Sequence, residues 1–356
     1  MRSRFPLLQK VGGGGGGGGA DMRALAGARR GAGPGGPRGG LARGAGAAAG
    51  AAVSGGAGAG PSLAAFSPAK VNLFLRVMRR RDDGFHDLAS LFHAVSLGDR
   101  LEIKALPSGS SDALECDAPG VPTDSSNLVI KALEVFRARS GTSQRFACRL
   151  HKAVPSGAGL GGGSGNAATA MWLANEAVGR PATERQLLEW SADVGSDCPF
   201  FLSSGAAYCT GRGEVVEDVP PPLPLDTPLL LVKPSIGLST PAIFKALDLD
   251  SRSSADPEQL LAGLATNGAS PEVCVNDLEP PAFAELPRLG ELKDRLAQDG
   301  SFDAVFMSGS GSTIVGVGSE AVPQFLNSAQ VADLDLFVSP ARLIVRNEGE
   351  WFREST

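Results

Sequence analysis

The segment that most constrains this chain is a run of glycines placed just before a predicted helix. Residues 154–168 read VPSGAGLGGGSGNAA. Glycine has no Cβ, so successive backbone N–H groups in such a segment can turn inward around a polyanion. The helix that follows directs its unpaired N–H groups and the positive end of its dipole to the same place. The segment therefore predicts a loop that holds the phosphates of a nucleotide, with Ser164 either capping the helix or facing a phosphate-bound metal.

Two better-known glycine signatures do not fit this segment. Gly157, Gly159 and Gly162 match the spacing of the dinucleotide fingerprint. The acidic residue expected about 20 positions later is missing, however, since Pro181 and Ala182 stand there. No lysine follows the glycines, as a Walker loop requires. A flexible linker is disfavoured because a helix follows at once. The segment is therefore predicted to be a phosphate-binding loop that belongs to neither of these two classes.

The first 60 residues differ in composition from the rest of the chain. They hold 22 of the 48 glycines and carry a net charge of +7, whereas the remaining residues carry about −12. Such a segment buries too little apolar surface to offset the entropy of ordering it. Its arginines and its near lack of acids predict a disordered transit peptide at residues 1–60. Taken with the function argued below, the expected destination is the plastid (chloroplast stroma), with mitochondrion or cytosol as alternatives.

The composition of the body limits its partners. Its acidic charge argues against nucleic acid as the main partner. The sequence contains no run of about 18 apolar residues, so we expect no membrane-spanning helix. The five cysteines form no C-x-x-C pair and lie apart from the three histidines, which argues against a zinc site and favours reduced thiols. We expect a soluble globular protein that binds a small molecule. The sequence assigns no oligomeric state.

Residue patterns in the body predict a mixture of strands and helices. Strands are predicted at residues 67–77, 86–95, 101–104, 146–152 and 229–233, with a strand–turn–strand unit at 304–317. Helices are predicted at residues 127–139, 167–178, 183–194, 241–247 and 285–298. Because strands and helices do not alternate regularly, the pattern predicts an α+β fold. Prolines between residues 220 and 224 predict a boundary between a lobe at 65–222 and a lobe at 226–350.

Three further segments contain candidate site residues. Lys70 lies at the start of the first predicted strand, and residues 307–313 form a second polar, glycine-containing loop between strands. Asp197 lies in a predicted tight turn before an apolar strand, and a carboxylate can accept the proton of an alcohol in phosphoryl transfer. Taken singly, each has an ordinary explanation as a solvated or turn residue.

Together these segments resemble the motifs of the GHMP kinase superfamily. Its first motif is similar to PAKVNLFL at residues 68–75, its ATP loop to residues 155–168, its catalytic turn to GSDCPF at residues 195–200, and its third motif to residues 307–313. Two further segments resemble those of the family members that act on a cytidine-diphosphate-linked methylerythritol in the non-mevalonate isoprenoid pathway. They are residues 81–88 (RDDGFHDL) and 239–244 (STPAIF). The resemblance covers about residues 67–345.

The resemblance implies a two-lobed fold, with an N-terminal lobe like ribosomal protein S5 domain 2 and a ferredoxin-like C-terminal lobe. It implies ATP-dependent phosphorylation of the 2-hydroxyl of that substrate. Asp197 would take the hydroxyl proton, Lys70 would keep Asp197 ionised, and magnesium would balance the phosphate charge. The residues implied to bind ATP are Pro155, Ser156, Gly157, Ala158, Gly159, Leu160, Gly161, Gly162, Gly163, Ser164 and Gly165.

The resemblance also implies a cytosine site. His86 would bind the edge of the base, Phe85 and Phe244 would stack on its two faces, and Asn72 would contact the substrate. The family commonly has tyrosine at the position of Phe85, so a hydroxyl contact is lost here. It commonly has serine at the position of Gly165, so a hydroxyl contact to phosphate is expected to be lost as well.

Three alternatives remain at this point. Another GHMP kinase, acting on mevalonate, homoserine or a sugar, is disfavoured by Phe85 and His86, because those substrates carry no cytosine. A non-catalytic ligand sensor on the same fold is disfavoured because Lys70 and Asp197 are both present. An RNA-binding protein, suggested by the S5-like lobe, is disfavoured by the acidic body.

Overall fold

The first sheet is built around two long antiparallel strands. The computed structural model, which describes residues 62–354, pairs them along almost their whole length. The strands of this sheet are β1 (Ser62–Arg80), β2 (His86–Ala105), β3 (Ala113–Cys116), β4 (Phe146–His151), β5 (Ala206–Gly211) and β6 (Val215–Asp218). One end of β2 also pairs with β5 and the other with β4, while β3 joins β4 in parallel and β6 joins β5.

The second sheet is smaller and wholly antiparallel. Its strands are β7 (Pro228–Lys233), β8 (Ala304–Met307), β9 (Ile314–Val317) and β10 (Phe337–Arg342), in the order β10-β7-β9-β8. One hydrophobic cluster contains Ala69 and Val71 of β1 together with Leu229 and Leu231 of β7, so residues of the two sheets share a core. The proline-rich segment lies between the sheets in sequence, and the division into two lobes at residues 65–222 and 226–350 stays a prediction.

Seven α-helices complete the part of the chain that the structure describes. They are α1 (Leu128–Ser140), α2 (Gly162–Ala177), α3 (Glu184–Ser191), α4 (Thr240–Ala246), α5 (Pro257–Asn267), α6 (Glu279–Glu285) and α7 (Pro287–Gln298). Three 3-10 helices are also present: Pro199–Leu202, Gln324–Asn327 and Ala332–Leu334. Asn127 caps α1, and Thr183 and Gln186 form the capping box predicted at the start of α3. None of the helices within residues 62–354 is long and apolar enough to cross a membrane.

The predicted mixture of strands and helices is confirmed, but several elements differ. Residues 86–95 and 101–104 were expected as two strands and form the single strand β2. Gly98 interrupts the apolar pattern there, yet it pairs with Pro68, and a Cβ at this position would lie 2.3 Å from the Phe66 ring. The interruption therefore reflects close packing within the sheet. Helices α5 and α6 and strands β3, β5, β6 and β10 were not predicted.

The start of α2 is a second difference. The sequence predicted a helix from residue 167, whereas the helix begins at Gly162, with Gly161 as its N-cap. Glycine has a low helix propensity, so the local pattern favoured a loop here. The backbone N–H of Gly165 nevertheless donates to the carbonyl of Gly161 at 2.8 Å. The glycines thus form the first turn of the helix as well as the loop.

The segment after β10 is hydrogen-bonded to the backbone that follows the predicted catalytic turn. Arg346 is buried, and its guanidinium donates to the carbonyl oxygens of Leu202 at 2.6 Å and Ser203 at 2.8 Å, at the end of the 3-10 helix Pro199–Leu202. It also pairs with Glu184 at 2.9 Å and contacts the ring of Trp172. One side chain therefore ties the C-terminal segment to the backbone that follows Asp197.

We expect Arg346→Ala to lower the free energy of unfolding by about 3–5 kcal/mol, because it leaves Glu184 and the carbonyl groups of Leu202, Ser203 and Glu350 without the partner that Arg346 supplies. Arg353→Ala is the matched control, since Arg353 is 80% exposed and, within residues 62–354, pairs with Glu350 alone, and it should cost less than about 0.5 kcal/mol. Urea unfolding measures both. Equal losses would contradict this role of Arg346.

Candidate active site

A cavity of about 930 Å³ opens at the N-terminus of α2. Its lining includes loop residues 155–164 and also Phe85, His86 and Phe244. Lys70, Asn72 and Asp197 also line it. The structure therefore brings together every site residue predicted from the sequence except Gly165.

Lys70 and Asn72 reach the cavity because they alternate along β1 with apolar residues. Ala69, Val71 and Leu73 pack in the shared core, so the intervening side chains point the other way. Lys70 Nζ donates to Asn72 Oδ1 at 2.6 Å and lies 3.6 Å from Asp197 Oδ2. The predicted lysine and aspartate are thus an ion pair at the cavity wall.

The surroundings of this pair differ for its two members. The Lys70 side chain is 4% exposed and that of Asp197 is 33% exposed. Burial lowers the pKa of Lys70 below its ordinary value of 10.5, and the neighbouring carboxylate of Asp197 opposes that shift. The Lys70 ammonium also lies over the Phe92 ring, 4.6 Å from its centroid. A buried cation beside a reachable carboxylate suits the activation of a hydroxyl group.

Asp197 lies in a tight turn, as predicted, but the segment after it is not a strand. The turn leads into the 3-10 helix Pro199–Leu202, and the next strand begins only at Ala206. The side chains of Phe200 and Phe201 in this helix are fully buried, which gave the sequence its strand-like apolar pattern. The helix holds the turn against the core.

The start of the glycine loop is fixed by Asp99, which the sequence did not single out. Its buried carboxylate accepts from the backbone N–H groups of Ala153 and Val154, both at 2.8 Å, and from Asn166 Nδ2 at 2.9 Å. Lys152 donates to the same carboxylate. No pattern in the sequence marks an aspartate within a strand as the anchor of a loop more than 50 residues away.

The middle of the loop is fastened to the second polar loop. Ser308 Oγ donates to the Gly159 carbonyl at 3.1 Å, and the Thr313 N–H donates to the Ala158 carbonyl at 3.2 Å. Gly159 has a φ of +72°, and a Cβ there would lie 2.2 Å from the Ser308 carbonyl oxygen. Residues 307–313 therefore hold the phosphate loop in shape.

Two expectations about the first turn of α2 are corrected. Gly161 is the N-cap and no side chain caps the helix, so Ser164 does not cap it. Ser164 lines the cavity and hydrogen-bonds the Cys198 thiol. Gly165 is buried, and a Cβ there would lie 2.6 Å from the Pro68 carbonyl oxygen. A serine at this position would point at β1, so Gly165 permits close packing and its lack of a hydroxyl removes no contact in the cavity.

The cavity lining also contains the aromatic side chains of Phe85 and Phe244 beside His86, and we call this part of it the aromatic end. The rings of His86 and Phe244 are stacked, with centroids 5.3 Å apart and an interplanar angle of 27°. Burial and the charge of Arg80 lower the pKa of His86, so its ring is neutral near pH 7. Phe85 is 55% exposed, and its ring faces the guanidinium of Arg212. Phe85 and Phe244 were predicted to stack on the two faces of the base. In the structure, Phe244 stacks on His86 and Phe85 faces Arg212.

Comparison with known proteins agrees with this geometry. Residues 127–205 match the model of the GHMP kinases N terminal domain, and residues 242–330 match that of the GHMP kinases C terminal. The chain is 54% identical over 294 residues to the 4-diphosphocytidyl-2-C-methyl-D-erythritol kinase, chloroplastic/chromoplastic, of Solanum lycopersicum, covering 82% of this chain and 73% of that one.

The chain belongs to the 4-diphosphocytidyl-2-C-methyl-D-erythritol kinases.

Solved structures agree with this family and its fold. A crystal structure of 4-(cytidine 5'-diphospho)-2C-methyl-D-erythritol kinase matches with a TM-score of 0.63 and 30% identity, covering 79% of this chain and 99% of that one. The homoserine kinase of Cytophaga hutchinsonii matches with a TM-score of 0.61 and 19% identity, covering 80% and 97%, and shares the fold alone. The GHMP kinase fold predicted from the sequence is confirmed, and ATP is the phosphoryl donor of this family.

The contact between the two loops gives a prediction. Gly159→Ala should weaken ATP binding by about 10- to 100-fold, because the new methyl group overlaps the Ser308 carbonyl and displaces the loop. Gly157→Ala is the matched control: its φ is also positive, at +62°, but nothing lies within 4 Å of the added Cβ. Calorimetry with ATP on both folded variants tests this. Equal affinities would mean that the contact does not shape the phosphate site.

Proposed function

We infer that this kinase transfers the terminal phosphoryl group of ATP to the 2-hydroxyl of 4-diphosphocytidyl-2-C-methyl-D-erythritol. The step belongs to the non-mevalonate synthesis of isoprenoid (terpenoid) precursors. One observation supports it above the others: the Lys70–Asp197 pair lines the same cavity as the glycine loop and the aromatic side chains. A substrate that carries a base at one end and a hydroxyl group at the other can contact both the aromatic side chains and the Lys70–Asp197 pair of this one cavity.

In the proposed mechanism, Asp197 accepts the proton of the 2-hydroxyl as its oxygen bonds to the terminal phosphorus. The bond from that phosphorus to the oxygen it shares with the next phosphate breaks, and ADP leaves. Lys70 favours the ionised form of Asp197 and stabilises the charge that develops on the attacking oxygen. Asn72 accepts from Lys70 and donates to Ser90 Oγ at 2.9 Å, so it orients the ammonium group.

The phosphates of ATP would lie in the loop at residues 155–164, at the N-terminus of α2. The first backbone N–H groups of a helix have no intrahelical partner, and the residues at this N-terminus line the cavity. Within residues 62–354, no cluster of three or more His, Cys, Asp or Glu side chains could hold a metal ion. The ATP phosphates would hold the magnesium ion, and Ser164, which lines the cavity, is the protein residue that we assign to it. When bound, it supplies neutralising charge.

The cytosine would bind at the aromatic end. A neutral imidazole offers one donor and one acceptor, which suits the paired polar groups at the edge of cytosine. For the base to stack between Phe85 and Phe244, the ring of His86 must leave the face of Phe244 and take a place at the edge of the base. When the substrate binds, the stacking of His86 on Phe244 would be replaced by the stacking of the base on Phe244.

The expected compartment is the plastid. The plant relatives are named chloroplastic, and the basic, acid-poor residues 1–60 have the composition of a transit peptide. The five cysteines form no disulfide, as a reducing compartment favours.

A direct assay tests the substrate. The purified chain should consume ATP when given 4-diphosphocytidyl-2-C-methyl-D-erythritol and should turn over mevalonate and homoserine at no more than about a hundredth of that kcat/KM, because neither carries a base for the aromatic end. Phosphorus NMR would follow the new phosphate monoester. Comparable turnover of mevalonate or homoserine would replace this function by the alternative of another GHMP kinase.

A double-mutant cycle tests the chemistry. Asp197→Asn keeps the shape of the side chain but cannot take the proton, so kcat should fall by about 10²–10⁴ with both KM values little changed. Lys70→Ala should also lower kcat. Because the two residues act as a unit, the double variant should be scarcely slower than the slower single one. Losses that multiply would show that Lys70 and Asp197 act independently.

A further inference from the structure

We propose that Arg212 binds the diphosphate of the substrate and so selects for nucleotide-linked acceptors. This inference rests on the proposed function. It concerns a residue in the short connection between β5 and β6, which the sequence motifs did not include. The argument depends on where this connection lies, on what the guanidinium already binds, and on which other cations share the cavity.

The connection between β5 and β6 lies against the catalytic turn. A Cβ added at Gly213 would be 3.4 Å from Asp197 Oδ1, so the backbone next to Arg212 lies close to the carboxylate proposed to be the base. The guanidinium carbon of Arg212 lies 5.2 Å from the centroid of the Phe85 ring. Arg212 therefore spans the interval between the hydroxyl end and the base end of the cavity. In the substrate, the diphosphate occupies that same interval.

The guanidinium has donors to spare. The Arg212 backbone N–H donates to Glu214 Oε2 at 2.6 Å, and Nε lies 3.5 Å from Glu214 Oε1. Within residues 62–354 its two terminal nitrogens make no hydrogen bond or ion pair. Nε is buried and has no hydrogen-bond partner within these residues, so Glu214 pairs with the group by charge and leaves its side-chain donors available. A planar guanidinium edge matches two phosphate oxygens, which an ammonium group cannot match as a pair.

The other cations that line the cavity are less suited to this task. Lys70 binds Asn72 and Asp197, and Lys152 binds Asp99 at the base of the phosphate loop. Arg80 pairs across the strand ladder with His86, at the base end. Lys245 follows Phe244 on α4 and is exposed. Of the lining cations, Arg212 is the one whose neighbours include both Phe85 and the turn of Asp197.

This placement has a consequence for specificity. A substrate with a hydroxyl group but no diphosphate would leave the guanidinium with Glu214 as its partner and without the phosphate oxygens that its free donors would bind. A nucleoside without phosphate would keep its contacts with the aromatic end and lose only those of Arg212. The difference in affinity between cytidine diphosphate and cytidine therefore measures what the diphosphate contributes, and the change of this difference in an Arg212 variant measures the share of Arg212.

Calorimetry on the full chain tests the proposal without ATP. Wild type should bind cytidine diphosphate more tightly than cytidine. In Arg212→Gln, the affinity for cytidine diphosphate should fall by about 10- to 100-fold, the effect of losing charge-assisted hydrogen bonds. The affinity for cytidine should change by no more than about fivefold, the effect of losing the contact with Phe85. In turnover, KM for the diphosphate substrate should rise while KM for ATP stays constant.

Two further variants sharpen the test. Lys245→Gln removes an exposed cation from the same cavity and should leave the ratio of the two affinities within about threefold of wild type. Arg212→Lys keeps the charge without the planar edge and should give an intermediate ratio, and it serves as the test if Arg212→Gln does not fold.

Several results would overturn the proposal. They are an unchanged ratio in the Arg212 variants, an equal loss for both ligands, a larger effect of Lys245→Gln, or a wild type that does not prefer cytidine diphosphate. Because binding is measured without turnover, these results are distinct from failure of the proposed function, which would appear as a wild type that binds cytidine diphosphate but phosphorylates no acceptor linked to it.

Discussion

The site depends on an ammonium group held almost out of water. Burying a charge is costly unless partners surround it, and Lys70 has Asn72, Asp197 and the face of Phe92 around its Nζ. Its backbone N–H also donates to the Leu160 carbonyl in the glycine loop at 2.9 Å. One residue therefore links β1, the glycine loop and the turn of Asp197. A shift of that turn would take a carboxylate away from the buried ammonium group, and a shift of the loop would break the Lys70–Leu160 hydrogen bond.

The glycine loop keeps its shape because its entry and its middle are both anchored. Asp99 holds the entry through two backbone N–H groups, and Ser308 holds the middle through the Gly159 carbonyl. Loop backbone that faces a ligand has few hydrogen bonds of its own, so side chains elsewhere must supply them. The anchors lie far from the loop in sequence, and the close approach at Gly159 leaves no room for a side chain. Order in the loop is thus a property of the whole fold.

The sequence predicted the candidate site residues that lie in recognisable motifs. It missed the residues that reach the site only through the tertiary fold. Lys70, Asp197 and the loop at 155–164 lie in motifs, and the structure brings them to one cavity. Asp99 and Arg212 lie in segments whose local pattern is ordinary, and only strand pairing brings them to the site. Local propensity also placed the start of α2 too late and a strand after Asp197, because glycine disfavours helices and buried phenylalanines resemble a strand. Tertiary contacts decide both cases.

A crystal structure of the chain with a non-hydrolysable ATP analogue and 4-diphosphocytidyl-2-C-methyl-D-erythritol tests the central claim most directly. The account predicts the 2-hydroxyl oxygen within about 3.2 Å of the Asp197 carboxylate, the terminal phosphate at the N-terminus of α2, and Lys70 Nζ still beside Asp197. A hydroxyl group bound away from Asp197, or a terminal phosphate outside the glycine loop, would contradict it.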